Sequence, residues 1–427
     1  MINNKTGMLT VLRNRDFLAL FMSQLVSKVG DNFAVVAALV LINELAQRAG
    51  IAVVVIAAAM TIPQLFALAS GVFVDRFSRK GLMIVSDILR AGIVLLALLV
   101  HTPGHLYILY LTAFAVMGLG AVYIPARNAS IPNMVPEEHL LTANALIQAT
   151  ELVSLIVGAS LATLIISLTS TSTAFVIDSL TFIVSGLFLL AARIPSGLGY
   201  GTMTANPGTR GEFGRFWKGF SDGVRYIGSN QHLMQLMAIT TMATLGLSAT
   251  VLLAAAYFKQ LLGISAEYLG LLQATEGLGM ALGALLISAF ASWARSRRIV
   301  SLAMIILGGG ILVFALAPGY WLVLVGALVV GLCVVSARTT LAAMTQALVP
   351  DSQRGRVESA MVTVIGIGTM GALVMAGILG DVVGPKSIFV LTGVVVLTAG
   401  FASIFTLRGA EQRIVNGLNG QVAPPLE

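Results

Sequence analysis

The sequence predicts an all-α membrane protein with twelve transmembrane helices in two pseudo-symmetric six-helix bundles. Composition, segment length and charge placement each point that way. Hydrophobic residues make up 57% of the 427 residues and charged residues 10%. A soluble domain carries about 25% charged residues, and the mean hydropathy here is +0.95. Water is not the main solvent of such a chain. A spanning helix needs about 20 mostly apolar residues, and twelve segments meet that need. Of the 25 Lys and Arg, only Arg48, Lys259 and Lys386 fall in loops on one side, and Lys28 and Arg90 fall deep within segments. The rest lie on the other side, which the positive-inside rule makes cytoplasmic.

The segments run over 17–43, 51–73, 82–100, 106–126, 142–168 and 172–192, then 232–258, 267–291, 299–317, 320–343, 356–380 and 386–407. The first is too long for the apolar region of a cleaved signal, so it is expected to stay as a membrane helix. An even count of segments puts both termini in the cytoplasm. Outer links such as HTPGH (101–105) and TSTST (169–173) are short and nearly uncharged. The longest break, 193–231, holds Arg193, Arg210, Arg215, Lys218 and Arg225 and divides the segments six and six. Within it, Phe213, Phe216, Trp217 and Phe220 follow helical spacing between charged residues. That pattern predicts an amphipathic helix on the inner membrane face. The expected division is therefore an N-terminal bundle over 1–192, a cytoplasmic linker over 193–231, a C-terminal bundle over 232–410 and a cytoplasmic tail over 411–427.

Several function classes drop out. The net charge of +7 follows from topology and needs no nucleic-acid partner. There is no phosphate-binding loop: Lys386-Ser387 follows Pro385, which spoils the pattern. No His-Glu-x-x-His motif occurs, and Pro103 and Gly104 separate His101 from His105, so no metal site is expected. The chain reads as neither an enzyme nor a cofactor protein. Its one cysteine, Cys333, lies in an apolar run and has no partner for an intrachain disulfide.

An internal repeat relates the halves. PARNASIPNMVPEEHLLTANAL (125–146) follows the fourth segment, and SARTTLAAMTQALVPDSQRGRVESAM (336–361) follows the tenth. Both carry Ala-Arg at a helix end, then Val-Pro and a polar turn. Arg127 and Arg338 thus end equivalent helices and are candidate gate latches. GVFVDRFSRK (71–80) after the second segment is echoed by AFASWARSRR (289–298) after the eighth. Half-to-half repeats of this kind build many transporters, with the substrate site near the membrane midplane.

An ionisable group at mid-helix costs about 2.5–3.5 kcal/mol, so each one is a functional candidate. Asp31 lies in the first segment on a polar stripe with Ser23, Ser27 and Gly30, and Lys28 is placed to pair with it. Glu151, Asp178 and Glu276 lie in the fifth, sixth and eighth segments. Gly277, Gly279 and Gly283 around Glu276 predict a close helix approach there. A carboxylate without a cation in hydrocarbon favours its neutral form and can carry a proton. A structural role in holding helices together is the alternative for each. Asp87 and Arg90, three apart in the third segment, read as a structural pair reaching the membrane interface.

The loop Gly71, Asp75, Arg76, Arg79, Lys80 resembles the signature loop of the major facilitator superfamily, and the resemblance spans about residues 10–410. SKVGDNF (27–33), SDILRA (86–91), YIPARNASIPNMVP (123–136) and LVPDSQRGRV (348–357) are similar to the bacterial branch of macrolide-efflux and enterobactin-export proteins. The first and third also resemble lysophospholipid transporters. IVGASLATL (156–164) departs from the proline-bearing fifth-helix motif of many drug antiporters. The resemblance implies a monomeric secondary transporter in a bacterial inner membrane. It would export an amphipathic small molecule by proton antiport and alternating access, with Asp75 and Arg76 locking the cytoplasmic side. A lipid flippase of the same fold and a non-transporting receptor or scaffold remain open alternatives.

Overall fold

The computed structural model describes residues 4–46, 49–65, 77–194, 221–257, 269–289, 296–317, 319–350 and 353–418. They form helices α1 (Asn4–Arg13), α2 (Arg15–Leu45), α3 (Ala49–Leu65), α4 (Arg79–Val94), α5 (Leu106–Ser130), α6 (Leu140–Leu168) and α7 (Thr171–Ala191). There follow α8 (Gln231–Tyr257), α9 (Leu269–Ala289), α10 (Arg297–Leu316), α11 (Tyr320–Leu348), α12 (Arg354–Val383), α13 (Pro385–Thr406) and α14 (Arg408–Leu418). Among the described residues no strand occurs, and ten helices are long and apolar enough to cross a membrane. The other two expected spans correspond to α3 and α8. Gly71, Asp75, Arg76 and the aromatic residues 213–220 lie outside the described residues.

The chain divides into two compact units: Met1–Pro207 with Ser265–Ala274, and Gly208–Ile264 with Thr275–Glu427. In the first, α2 packs on α6 and α7, α4 packs on α5 and α7, and α3 packs on α5. In the second, α8 packs on α12 and α13, and α10 packs on α11 and α13. Adding six to each label of the first scheme gives the second. The pair α9 and α11 completes the correspondence: Gly279 and Gly283 lie against the backbone at Leu328 and Leu332, and Gly331 against that at Glu276. The close approach expected near Glu276 is present, because small residues let two backbones meet.

Local chemistry sets the helix starts. Asn14 caps α2, its Oδ1 accepting from the Asp16 and Phe17 N–H groups at 3.0 and 3.2 Å. Its Nδ2 donates to the Met134 carbonyl at 2.6 Å, tying α2 to the turn after α5. Ser78, Ser170 and Ser296 cap α4, α7 and α10 in the same way. Arg79 and Lys80, at the start of α4, bind helix ends in their own unit. Arg79 Nη1 donates to the Ala129 carbonyl at 2.6 Å, and Lys80 Nζ to the Leu190 and Ala192 carbonyls at 2.8 Å. Cations suit the orphan carbonyls at helix C-termini.

The second unit has an apolar core in which Met304, Leu307 and Ile311 of α10 and Val396 of α13 are fully buried. Gly308 lies against the Leu397 backbone, and Gly400 against Ile305. That core runs past residue 410, where the tail was expected to leave the bundle. Ala410 and Ile414 of α14 are buried in it. Glu411 accepts from Ser296 Oγ at 3.0 Å and from Arg297 Nε at 2.7 Å, which pins α14 to the start of α10. The first unit has its apolar cluster at the end where α2 and α4 begin, around Phe17, Leu20, Met83, Ala126 and Leu189.

Candidate transport site

Farther along α2 the first unit becomes polar inside. The expected stripe faces its interior: Ser23 and Ser27 are buried. Ser23 Oγ lies 2.8 Å from Ser185 Oγ and 3.1 Å from the Tyr123 hydroxyl. Ser185 donates to Asp87 Oδ2 at 2.6 Å, and Asp87 Oδ1 accepts from Arg90 Nη2 at 3.0 Å. The Arg90 guanidinium lies between two rings, 4.9 Å from the Tyr123 centroid and 4.8 Å from that of Phe182. Asp87 and Arg90 therefore pair as expected, but inside the unit rather than at its surface. Asp87 is 0% exposed and Arg90 5%. The reason is that α7 and α5 cover α4 with hydroxyl and aromatic groups that satisfy both ions. Ser86, Tyr123, Ser179, Phe182 and Ser185 escaped the sequence reading. Asp178, Phe182 and Ser185 follow i, i+4, i+7 spacing, a signal that was available.

Lys28 joins two of the predicted carboxylates. Its Nζ lies 3.3 Å from Asp31 Oδ2 and 3.8 Å from Glu151 Oε1. Asp178 is different. It is 1% exposed, and its carboxylate pairs with no cation among the described residues. The Thr181 hydroxyl donates instead to the Asp178 backbone carbonyl at 2.7 Å. Two adjoining cavities share Asp31, Val116 and Met117. One is polar, with Gln24, Ser27, Lys28, Arg90 and Tyr123 in its wall. The other is apolar apart from Asp31, Thr112 and Asp178.

The remaining candidates stand apart. Glu276 is half-buried on α9 in the second unit, with no ion-pair partner among the described residues. Arg127 lies in the last turn of α5, but α11 runs on to Leu348, so Arg338 lies inside its helix rather than at the end expected from the repeat. Arg127 is 8% exposed and donates through Nε and Nη2 to Asn128 Oδ1 at 3.0 and 2.8 Å, whereas Arg338 is exposed beside Thr339 and Gln346.

This fold and a polar, cavity-bearing helix bundle define a membrane transporter, and comparison with known proteins supplies the class. The chain belongs to the transmembrane secretion effector family of the major facilitator superfamily, which it matches over residues 6–424. It is 24% identical to macrolide efflux protein A of Streptococcus pyogenes over 341 residues, covering 78% of this chain and 81% of that one. It is 25% identical to macrolide efflux protein A of Enterococcus faecalis over 303 residues, covering 69% and 90%. Among solved structures, the nucleoside transporter NupG superposes with a TM-score of 0.69 over 92% of this chain and 99% of that one, at 13% identity. The protein is a multi-pass membrane transporter, and its family consists of transporters rather than enzymes.

Proposed function

We propose that the protein exports an amphipathic small molecule from a bacterial cell by proton antiport and alternating access. The observation that carries this reading is the pair of adjoining cavities, one polar and one apolar, meeting at Asp31. An amphipathic solute needs both surfaces within one molecular length. The efflux activity in the names of the Streptococcus and Enterococcus relatives supports the outward direction. In this reading both termini and the 193–231 linker face the cytoplasm, the bundles cover 1–192 and 232–410, and α14 of the tail over 411–427 stays packed on the second bundle. Asp75 and Arg76 lock the cytoplasmic side with Arg79 and Lys80 as their anchor, and Arg127 and Arg338 are latches. Asp31, Glu151, Asp178 and Glu276 are the proton-coupling carboxylates. Lys28 holds Asp31 and Glu151 in one ion cluster, so a proton arriving at either weakens its hold on the lysine.

The test is uphill transport in proteoliposomes with an imposed pH gradient, using erythromycin as probe and a fluorescent lysophospholipid as comparison. The parent protein should concentrate erythromycin, and a protonophore should abolish the accumulation. Asp31→Asn and Glu276→Gln should lose uphill transport while retaining exchange down the solute's own gradient. Movement of the lysophospholipid alone would establish the flippase reading instead. Uphill transport at the parent rate in both variants would remove Asp31 and Glu276 from coupling.

A further inference from the structure

Four buried side chains from four helices join in single file inside the first unit: Tyr123 of α5, Ser23 of α2, Ser185 of α7 and Asp87 of α4. Ser185 Oγ donates to Asp87 Oδ2 at 2.6 Å. A serine hydroxyl has one proton, so the 2.8 Å contact between Ser23 and Ser185 runs from Ser23. By the same count, the 3.1 Å contact between Tyr123 and Ser23 runs from Tyr123. The chain therefore has one direction, from the phenol to the carboxylate. Other hydroxyls of this interior end on backbone: Ser86 donates to the Leu119 carbonyl and Ser179 to that of Ala91. The hydroxyl pair at the matching contact of the second unit is a dead end too. Ser403 donates to the Gly400 carbonyl at 2.6 Å, so Ser301 donates to Ser403 and the pair reaches no carboxylate.

We propose that these three hydroxyls form a proton relay that loads Asp87 from the polar cavity. The inference rests on the proton-antiport reading and adds to it a loading site and its route. Tyr123 stands in the wall of that cavity, which at about 50 Å³ has room and polar partners for a water. A hydronium there gives a proton to the Tyr123 oxygen as the phenol proton passes to Ser23, that of Ser23 to Ser185, and that of Ser185 to Asp87 Oδ2. One hydronium and one carboxylate become one water and one carboxylic acid, and each hydroxyl ends pointing back toward the cavity. Asp87 divides its oxygens accordingly. Oδ1 is held by Arg90 at 3.0 Å, and Oδ2 is left to the relay. Loading cancels the charge opposite Arg90, which lies in the same cavity wall, its guanidinium between the Tyr123 and Phe182 rings. A buried cation that loses its counter-ion is destabilised, so proton and solute act on one cavity. The charged groups around the Asp87–Arg90 pair are Asp31 of α2, itself paired with Lys28, and Asp178 of α7. They lie off the hydroxyl chain, so the route runs through Tyr123, Ser23 and Ser185.

The test is time-resolved infrared spectroscopy of the full-length protein in lipid nanodiscs after a drop in pH, which does not depend on transport. The parent should show a rising carboxylic-acid band with a component that Asp87→Asn lacks. Ser23→Ala interrupts the relay while leaving Asp87 and Arg90 in place. It should keep the amplitude of that component and slow its rise by about a hundredfold, the lower end of what a positioned proton carrier contributes. Ser23→Thr returns a hydroxyl to the chain and should restore the rate, which a purely structural role for Ser23 would not require. Tyr123→Phe should slow the rise as Ser23→Ala does. If Asp87→Asn fails to fold, the Ser23→Ala and Ser23→Thr rates decide. A band that rises at the parental rate in Ser23→Ala overturns the relay, and a band unchanged in Asp87→Asn overturns the loading site. Parental kinetics in Ser23→Ala, alongside erythromycin export that a protonophore abolishes, would sink this inference and leave the antiport reading standing. A band slowed in Ser23→Ala, in a protein whose export ignores the protonophore, would sink the antiport reading and leave the relay in place.

Discussion

The two units share one helix-pairing scheme but fill equivalent contacts with different chemistry. Where α4 meets α7 in the first unit, the contact buries Asp87, Arg90, Ser179, Phe182 and Ser185. Where α10 meets α13 in the second, it is built from Gly308, Gly393, Gly400 and large apolar side chains, with one Ser301–Ser403 hydroxyl contact at 2.7 Å. Among the described residues, the ion pairs of the second unit lie near its helix ends: Arg297–Glu411 at 2.7 Å and Arg356–Asp222 at 3.7 Å. One architecture thus holds a polar network in one copy and a close-packed apolar contact in the other.

The contrast can be broken most directly at Arg90. Arg90→Ala leaves Asp87 buried without its cation, a change that costs about 3–5 kcal/mol when a buried pair loses one partner. Thermal unfolding of the purified variant should show a large drop. An unchanged unfolding temperature would mean that hydroxyls alone satisfy Asp87, and the two units would then differ less than their residues suggest.

Glycine substitutions sharpen the other half. Gly331→Ala places a methyl group against the Glu276 backbone, and overpacking of this kind costs about 1–3 kcal/mol. A Cβ at Gly186 in the first unit meets nothing within 4 Å. Gly186→Ala should therefore be neutral or stabilising by up to about 1 kcal/mol, the helix propensity of alanine over glycine. Unfolding temperatures moving in the same direction for both would refute the close backbone contact between α9 and α11.

The smallest effect is expected at Asp222. Its side chain is 35% exposed, and that of its partner Arg356 is 53% exposed. Asp222→Ala should change stability by about 0–1 kcal/mol, as for other solvent-screened pairs. A larger loss would show that the second unit also depends on charge.

Much of the fold was legible because helices in hydrocarbon announce themselves by length and polarity. The polar stripe on α2 and the close approach of α9 to a neighbour could both be read from residue spacing. The Asp87–Arg90 pair was legible too, but its depth was not. Burial depends on α5 and α7, which lie elsewhere in the chain. The likeness of Arg127 and Arg338 in sequence concealed opposite environments for the same reason.

Sequence alone determined the contacts that lie within one helical turn, such as Lys28–Asp31 and Asp87–Arg90, because the helix repeat makes residues three apart neighbours. It also determined the kind of solvent, through the proportion of charged residues. Tertiary structure decided which faces meet. It brought Ser185 to Asp87 across 98 positions and Glu151 to Lys28, and set Asp178 and Thr112 in the wall of one cavity. Those outcomes follow from the rotation of each helix about its axis. That rotation is set by close packing against neighbours, and no residue spacing within a single helix records it.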